Sequence, residues 1–350
     1  MRFTDAVFES VSGLTTTGAT VLTGLGSLPQ AILFYRQQLQ WLGGLGIIVL
    51  AVAVLPMLGV GGMQLYRAET PGPVKDARLK PRITETAKVL WYVYLGITLV
   101  CGLSYWAAGM NVFDALCHAF STVSIGGFST HDESIAYFQS PLIEMITVVF
   151  MFVSGVNFSL HFLAWRHRRL TNYLIDPEFR AYVKMLGGLA TIVLIYLYLT
   201  GYYATLSETL TKGLFQVVSI ATTTGFVTDN FVGWPGALPV LLIFSSFIGG
   251  CAGSTAGGMK VIRCLLMYKQ GLREVQRLVH PSAAIVVKLG EKALDNRVVD
   301  AVWGFFAVYV VVFSILMLVL LGSGVDQVTS LLYTSPTPRD GLLSRMASSA

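Results

Sequence analysis

Charge is scarce in this sequence. Only 12% of its 350 residues are Asp, Glu, Lys or Arg, while 54% are hydrophobic; soluble globular domains carry about 25% charged residues. So little polar surface cannot cover a water-soluble body of this size, which excludes that class. Paired cysteines are also lacking. Cys101, Cys117, Cys251 and Cys264 all lie in apolar segments without a C-x-x-C pair, so neither a disulfide framework nor a zinc site is indicated. The five histidines are scattered, and His118 and His161 read as packed or interfacial residues rather than ligands, because ligand motifs need spaced partners. A membrane enzyme finds no support either: there is no embedded carboxylate pair, His cluster or activated Ser, and Glu144 and Asp114 read as standing alone near span ends. No signal peptide opens the chain, since Phe3–Ser10 already reads as the middle of a motif.

What the sequence does have is long apolar runs. Trp91–Trp106, Leu142–Trp165, Met185–Tyr198, Val240–Ile248 and Val302–Leu321 are nearly free of charge, and most approach the roughly 20 residues that cross a bilayer. The chain is therefore read as a multi-pass integral membrane protein. Its formal charge of +5 is unevenly placed. One basic cluster holds Arg67, Lys75, Arg78, Lys80, Arg82 and Lys88; a second holds Arg166, Arg168, Arg169 and Arg180; a third holds Lys269, Arg273, Arg277, Lys288, Lys292 and Arg297. Ala19–Tyr35, Phe128–Pro141 and Phe226–Pro239 contain no Lys or Arg. By the positive-inside rule the basic loops are cytoplasmic and the others external. Each basic cluster sits against a span, so a nucleic-acid partner is not expected.

Three segments share one plan: Phe3–Ala19, Val112–Thr130 and Leu210–Phe226. Each begins with an amphipathic stretch of about a dozen residues, too short to span. Each then breaks at Ser/Thr-x-Gly and leads through an external loop into a long apolar helix. A further apolar helix precedes the second and third. The unit is span, half-helix, Gly loop, span, and hydropathy and charge agree on its topology.

Irregular backbone survives in a membrane only when buried in protein or lining a water-filled cavity. There its carbonyls can replace the hydration shell of a cation. Glycine permits the positive φ that turns successive carbonyls one way, and the negative C-terminal end of the half-helix favours a cation. One Thr-Thr-Thr-Gly alone would read as an ordinary polar loop; three, each between a half-helix and a span, read as an ion filter.

At these motifs the sequence resembles the Trk/Ktr/HKT superfamily of cation-uptake proteins, from about Phe3 to Val325. The resemblance is carried by Leu14–Gly18, Gln40–Gly46, Gly61–Glu69, Gly126–Thr130, Thr222–Phe226 and Gly249–Arg263. It implies an all-α membrane fold of four span–half-helix–span units around one pseudo-fourfold pore. It further implies potassium uptake across the bacterial inner membrane, K⁺ as the transported ion with no organic cofactor, assembly as a homodimer, and a cytoplasmic ring of nucleotide-binding regulatory subunits as partner. Carried over by position, the filter is Thr16, Thr17 and Gly18; Ser124, Ile125 and Gly126; and Thr223, Thr224 and Gly225. Gly at all three turn positions resembles the potassium-selective members. A sodium-conducting or sodium-coupled relative is the alternative, and the broken third-unit helix fits carriers too.

The small-residue stretch of Gly249, Gly250, Gly253, Ser254, Thr255, Ala256, Gly257, Gly258 and Lys260 interrupts the second span of the third unit. It admits a close-packing kink, or a phosphate loop, which its missing G-K-[ST] ending disfavours. The resemblance implies an intramembrane gate below the filter.

The expected organisation is a first repeat over 1–66 without its leading span, a second over 67–165 and a third over 166–268. A cytoplasmic loop with the leading span of a fourth repeat follows over 269–330. The tail at 331–350, with Pro336, Pro338, Arg339 and Asp340, reads as non-native in place of a fourth half-helix, filter and closing span. On this reading the fold is incomplete at both ends.

Overall fold

The computed structural model describes residues 2–49, 83–280, 285–290, 292–294 and 296–324. The Gly61–Glu69 motif, most of the first basic cluster and the tail over 331–350 lie outside the described residues. The fold is helical, as the apolar runs require. Among the described residues, three helices are long and apolar enough to cross a membrane, at Ala87–Ala107, Pro177–Thr200 and Val298–Gly322.

The first unit contributes α1 (Phe3–Leu14) and α2 (Gln30–Val49). The second contributes α3 (Ile83–Ala107), α4 (Val112–Val123), α5 (Pro141–Ser154) and α6 (Phe158–His167), with the short α7 (Thr171–Ile175) after it. The third contributes α8 (Pro177–Thr200), α9 (Leu206–Ala221), α10 (Leu238–Ile248) and α11 (Val261–Val279). A two-stranded hairpin, β1 (Lys288–Leu289) and β2 (Lys292–Ala293), precedes α12 (Asn296–Gly322).

Local chemistry sets the starts. Asn111 accepts from the Asp114 N–H at 2.7 Å, Asp176 from the Phe179 N–H at 2.9 Å, and Thr205 with Glu208 forms a reciprocal capping box, each satisfying N–H groups that a helix leaves open. Pro141 and Pro177 occupy first-turn positions where their missing N–H costs nothing.

The apolar run Leu142–Trp165, nearly free of charge, is broken. α5 and α6 meet at 93° across Gly155–Asn157. Asn157 caps the new helix by accepting from the Ser159 N–H at 2.8 Å, so a polar residue inside an apolar run marks a corner rather than a membrane-facing turn.

The short helices α1, α4 and α9, of 12, 12 and 16 residues, fall where the sequence reading expects half-helices, and that name is kept for them below. Each packs against its neighbours within its unit: α1 on α2, α4 on α3 and α5, α9 on α8 and α10. The units are joined by one recurring contact. The span that leaves one unit packs on the half-helix of the next, α2 on α4 and α5 on α9. Two apolar clusters fill the spaces behind the half-helices, one around Tyr182, Val193, Val217 and Leu242, the other around Tyr94, Tyr105, Phe158 and Phe215.

Candidate ion filter and gate

The three half-helices end in the same way. In the first, the Thr16 N–H donates to Gly13 O at 3.0 Å and the Thr17 N–H to Ser12 O at 2.9 Å. In the second, the Ile125 N–H donates to Thr122 O at 3.1 Å and the Gly126 N–H to Ser121 O at 2.8 Å. In the third, the Thr223 N–H donates to Ile220 O at 3.0 Å and the Thr224 N–H to Ser219 O at 2.8 Å. This is the Schellman pattern, in which the residue after the cap takes a left-handed conformation and glycine is usual. Here that residue is Thr16 (φ 55°), Ile125 (φ 54°) or Thr223 (φ 68°). β-branched side chains at positive φ are strained outliers, and strain of this kind persists where surrounding structure enforces it, often at functional sites.

The turn glycine follows two residues later: Gly18 at φ 76°, Gly127 at φ 79° and Gly225 at φ 85°. The second loop therefore differs from the sequence reading by one residue. Its equivalent tripeptide is Ile125-Gly126-Gly127, Ser124 corresponds to the capping Thr15 and Thr222, and Gly127 holds the place assigned to Gly126. The spacing from Ser12, Ser121 and Ser219 carries the correct register, because each serine lies six residues before its positive-φ glycine.

The loops lie against one another and against α2. A Cβ built on Gly127 would sit 2.1 Å from Thr224 O, so the second and third loops touch backbone to backbone there. In α2, a Cβ on Gly43 would meet Leu14 O at 2.0 Å and one on Gly44 would meet Ser124 Cβ at 2.9 Å. Those two glycines let α2 wedge between the first and second loops. Thr16, Gly18, Ser124, Ile125, Gly126, Thr223, Thr224 and Gly225 are buried, whereas Thr17 is exposed.

Charged groups behind the loops are all engaged. Arg36 donates to Glu9 Oε2 at 3.1 Å, to Thr20 Oγ1 at 3.0 Å and to Ser129 O at 3.4 Å, with its guanidinium 4.2 Å over the Phe128 ring. Glu9 also accepts from the Val21 N–H at 2.7 Å. Asp114 and Glu144, expected to stand alone, do not. Asp114 accepts from Thr130 Oγ1 at 2.6 Å and lies 3.2 Å from His131 Nε2, and Lys212 Nζ lies 2.7 Å from Glu144 Oε1. Both carboxylates tie a half-helix to a neighbouring segment. His118 is buried between Asp114 O and Ser129 Oγ, and the half-buried His161 lies between Tyr173 Oη and Val153 O. Among the described residues no group of His, Cys, Asp and Glu could hold a metal ion.

The small-residue stretch is non-helical between α10 and α11. Gly249, Gly253 and Gly258 have positive φ, and so does Lys260 at 75°. The loop closes tightly on itself, since a Cβ on Gly249 would meet Gly257 O at 2.0 Å. It is seated on the corner between α5 and α6: the Cys251 N–H donates to Gly155 O at 2.8 Å, and the Phe158 N–H donates to Gly253 O at 3.0 Å. The Ala252 N–H donates to Glu178 Oε1 at 2.6 Å. A Cβ on Gly250 would crowd Ala256 Cβ at 2.6 Å and Gly155 O at 2.8 Å. The loop also touches the candidate filter. Thr255 Oγ1 donates to Val123 O, the end of α4, at 2.9 Å, and the Gly257 N–H donates to Thr223 Oγ1 at 2.7 Å. Lys260 Nζ folds back on the loop carbonyls of Ser254, at 3.4 Å, and Ala256.

A description of the TrkH family, cation transport protein, matches residues 1–332. The Trk system potassium uptake protein TrkH of Halomonas elongata is 61% identical over 327 residues, covering 93% of this chain and 68% of that protein. Its counterpart in Escherichia coli K12 is 57% identical over 326 residues with the same coverage. Among solved structures, the crystal structure of the potassium transporter TrkH from Vibrio parahaemolyticus matches with a TM-score of 0.86 at 53% identity, covering 95% of this chain and 68% of that chain.

Proposed function

The chain belongs to the TrkH family of cation transport proteins, and on that premise we propose that it takes up potassium ions across the bacterial inner membrane through a filter of backbone carbonyls. The observation that carries this reading is the identical strained turn at Thr16, Ile125 and Thr223, followed in each loop by a glycine at positive φ. Three copies of an unfavourable backbone conformation, buried at the ends of three half-helices, are what a carbonyl-lined ion path requires and what an ordinary loop avoids. The filter residues in this proposal are Thr16-Thr17-Gly18, Ile125-Gly126-Gly127 and Thr223-Thr224-Gly225.

The loop from Gly249 to Lys260 serves as the gate. Its support is position: through Thr255 and Gly257 it contacts the ends of the second and third half-helix turns. A homodimer with a cytoplasmic nucleotide-binding ring belongs to the same proposal, and the naming of the relatives within a Trk system supports a partner subunit. The test is cation-dependent growth and uptake in a potassium-uptake-deficient bacterial strain carrying the intact gene. Uptake of potassium in preference to sodium is the expected result; equal uptake of both ions would overturn potassium selectivity.

A further inference from the structure

The first and third candidate filter loops brace themselves. Ser12 Oγ donates to Ala19 O at 2.6 Å, and Ser219 Oγ donates to Phe226 O at 2.6 Å. In both, a serine in the half-helix closes on the carbonyl seven residues ahead, just past the turn glycine. The second loop has the same serine and the same spacing, yet it is built differently. Ser121 Oγ donates to Gln40 Oε1 at 2.5 Å, and the Phe128 N–H donates to that same oxygen at 3.2 Å. The amide end of Gln40 donates from Nε2 to Gly126 O at 2.7 Å. One side chain from α2, in the preceding unit, has been threaded between the half-helix and the outgoing strand.

This insertion explains a residue that the turn itself does not. Gly126 has no positive φ, and the equivalent positions are Thr17 and Thr224. Glycine is required at 126 for room: a Cβ there would lie 2.3 Å from Gln40 Cδ and 2.4 Å from Oε1. Gln40 is fully buried, and all three of its bonds go to the second loop or its half-helix. Among the described residues, the equivalent carbonyls of Thr17 and Thr224 accept no side-chain donor, so the second loop alone has its middle carbonyl held from behind.

We propose that Gln40 is a positioning residue that sets the second filter loop, and through it the discrimination between potassium and sodium. The proposal rests on the reading of these loops as a filter. A buried carboxamide that accepts twice and donates once fixes both ends of the three-residue backbone stretch from Gly126 to Phe128, whereas a single serine bond fixes one. Removing the amide leaves the Ser121 hydroxyl, the Phe128 N–H and the Gly126 carbonyl without their partner in a dry site, and backbone groups left so turn toward other partners.

The test uses protein from the intact gene, reconstituted in vesicles, with potassium and sodium flux measured separately. Gln40→Leu is expected to lower the melting temperature and, in the protein that still folds, to lower potassium-over-sodium discrimination by at least about fivefold, the scale of one lost buried hydrogen bond. Where Gln40→Leu does not reach the membrane, Gln40→Met carries the same test, because it fills the same space and supplies neither the donor to Gly126 nor the amide acceptor for Ser121 and Phe128. Gly126→Ala is expected to abolish flux by collision with Gln40, and Gly126→Ala with Gln40→Ala to regain flux without regaining discrimination. Parental discrimination in folded Gln40→Leu or Gln40→Met would overturn the proposal while leaving the filter reading intact. A parent protein that does not discriminate would overturn the filter reading and this proposal with it.

Discussion

Thr16, Ile125 and Thr223 hold a backbone conformation that costs a β-branched residue on the order of 1 kcal/mol or more, and two residues after each comes a position that only glycine fills well. The two kinds of position answer to substitution differently. At Gly225, φ is 85°, so a serine side chain strains the carbonyls on either side of it. Gly225→Ser is expected to weaken potassium-over-sodium discrimination more than it lowers protein abundance. At Gly127 the conformational strain is joined by collision, since a Cβ would stand 2.1 Å from Thr224 O in the neighbouring loop. Gly127→Ala is therefore expected to abolish selective flux rather than weaken it. Flux and membrane abundance measured side by side decide both; unchanged selectivity at normal abundance would remove these glycines from the filter. Glu9 and Arg36 act at this scale too. Their buried ion pair is completed by Thr20, Val21 and Ser129, so it anchors the strands leaving the first and second loops with few unpaired atoms behind it.

Among the elements, the broken third-unit span separates packing from gating. The segment Gly249–Lys260 is held by loop-to-corner bonds at Gly155 and Gly253 and by Lys260 folded onto its own carbonyls. A deletion within Gly249–Gly258 is expected to raise flux whether or not a regulatory partner is present, because an obstruction has been shortened. A folded deletion that conducts like its parent would reduce the segment to a packing kink. Outside the spans, Tyr203 donates to Asp229 and accepts from Trp234 Nε1 at 3.2 Å, linking the connection between α8 and α9 to the segment beyond the third candidate filter loop. Burial, and then the Asp229 carboxylate, push the Tyr203 phenol above its ordinary value of 10.0. Raised in the folded state, it adds stability that is fully present below about pH 10 and is lost as pH rises past the folded value. Protease nicking of the parental loop is expected to stay flat from pH 7 to about pH 10, whereas Tyr203→Phe is nicked faster at every pH; equal nicking would show that the bond does not hold the loop. These elements also mark what could be read in advance. The half-helices and the non-helical stretch at Gly249 were legible, because a short amphipathic run and a cluster of glycines are local signals. The corner at Gly155–Asn157 was not: hydropathy records burial without direction, and the run is apolar on both sides. The register of the second loop is not legible either, since adjacent Gly126 and Gly127 look alike in sequence, while Gly127 takes the positive φ and Gly126 makes room for Gln40.

For the whole molecule, stability depends on how one unit hands over to the next. α2 packs on α4 and α5 packs on α9, so the second and third half-helices are each held partly by a helix from the preceding unit, and neither of their candidate filter loops is supported by its own unit alone. Glu144 and Lys212 place charge at the second of these contacts. Glu144 lies on α5, its side chain only 3% exposed, and Lys212 lies on α9, with its Nζ 2.7 Å from Glu144 Oε1 and 3.3 Å from Thr228 O. A buried ion pair adds little net stability over an apolar pair, yet breaking one from a single side strands a charge and costs about 3–5 kcal/mol. Lys212→Met is therefore expected to lower the melting temperature of the solubilised protein clearly, and Glu144→Leu combined with Lys212→Met to recover most of the loss. Both changes should shift one cooperative transition, because the contact joins two units rather than decorating one. A separate low-temperature transition in Lys212→Met, with the main transition unmoved, would show that the third unit unfolds by itself. Additive losses in the double variant would show that Glu144 and Lys212 contribute independently, and the ion pair would then not be what couples the second unit to the third.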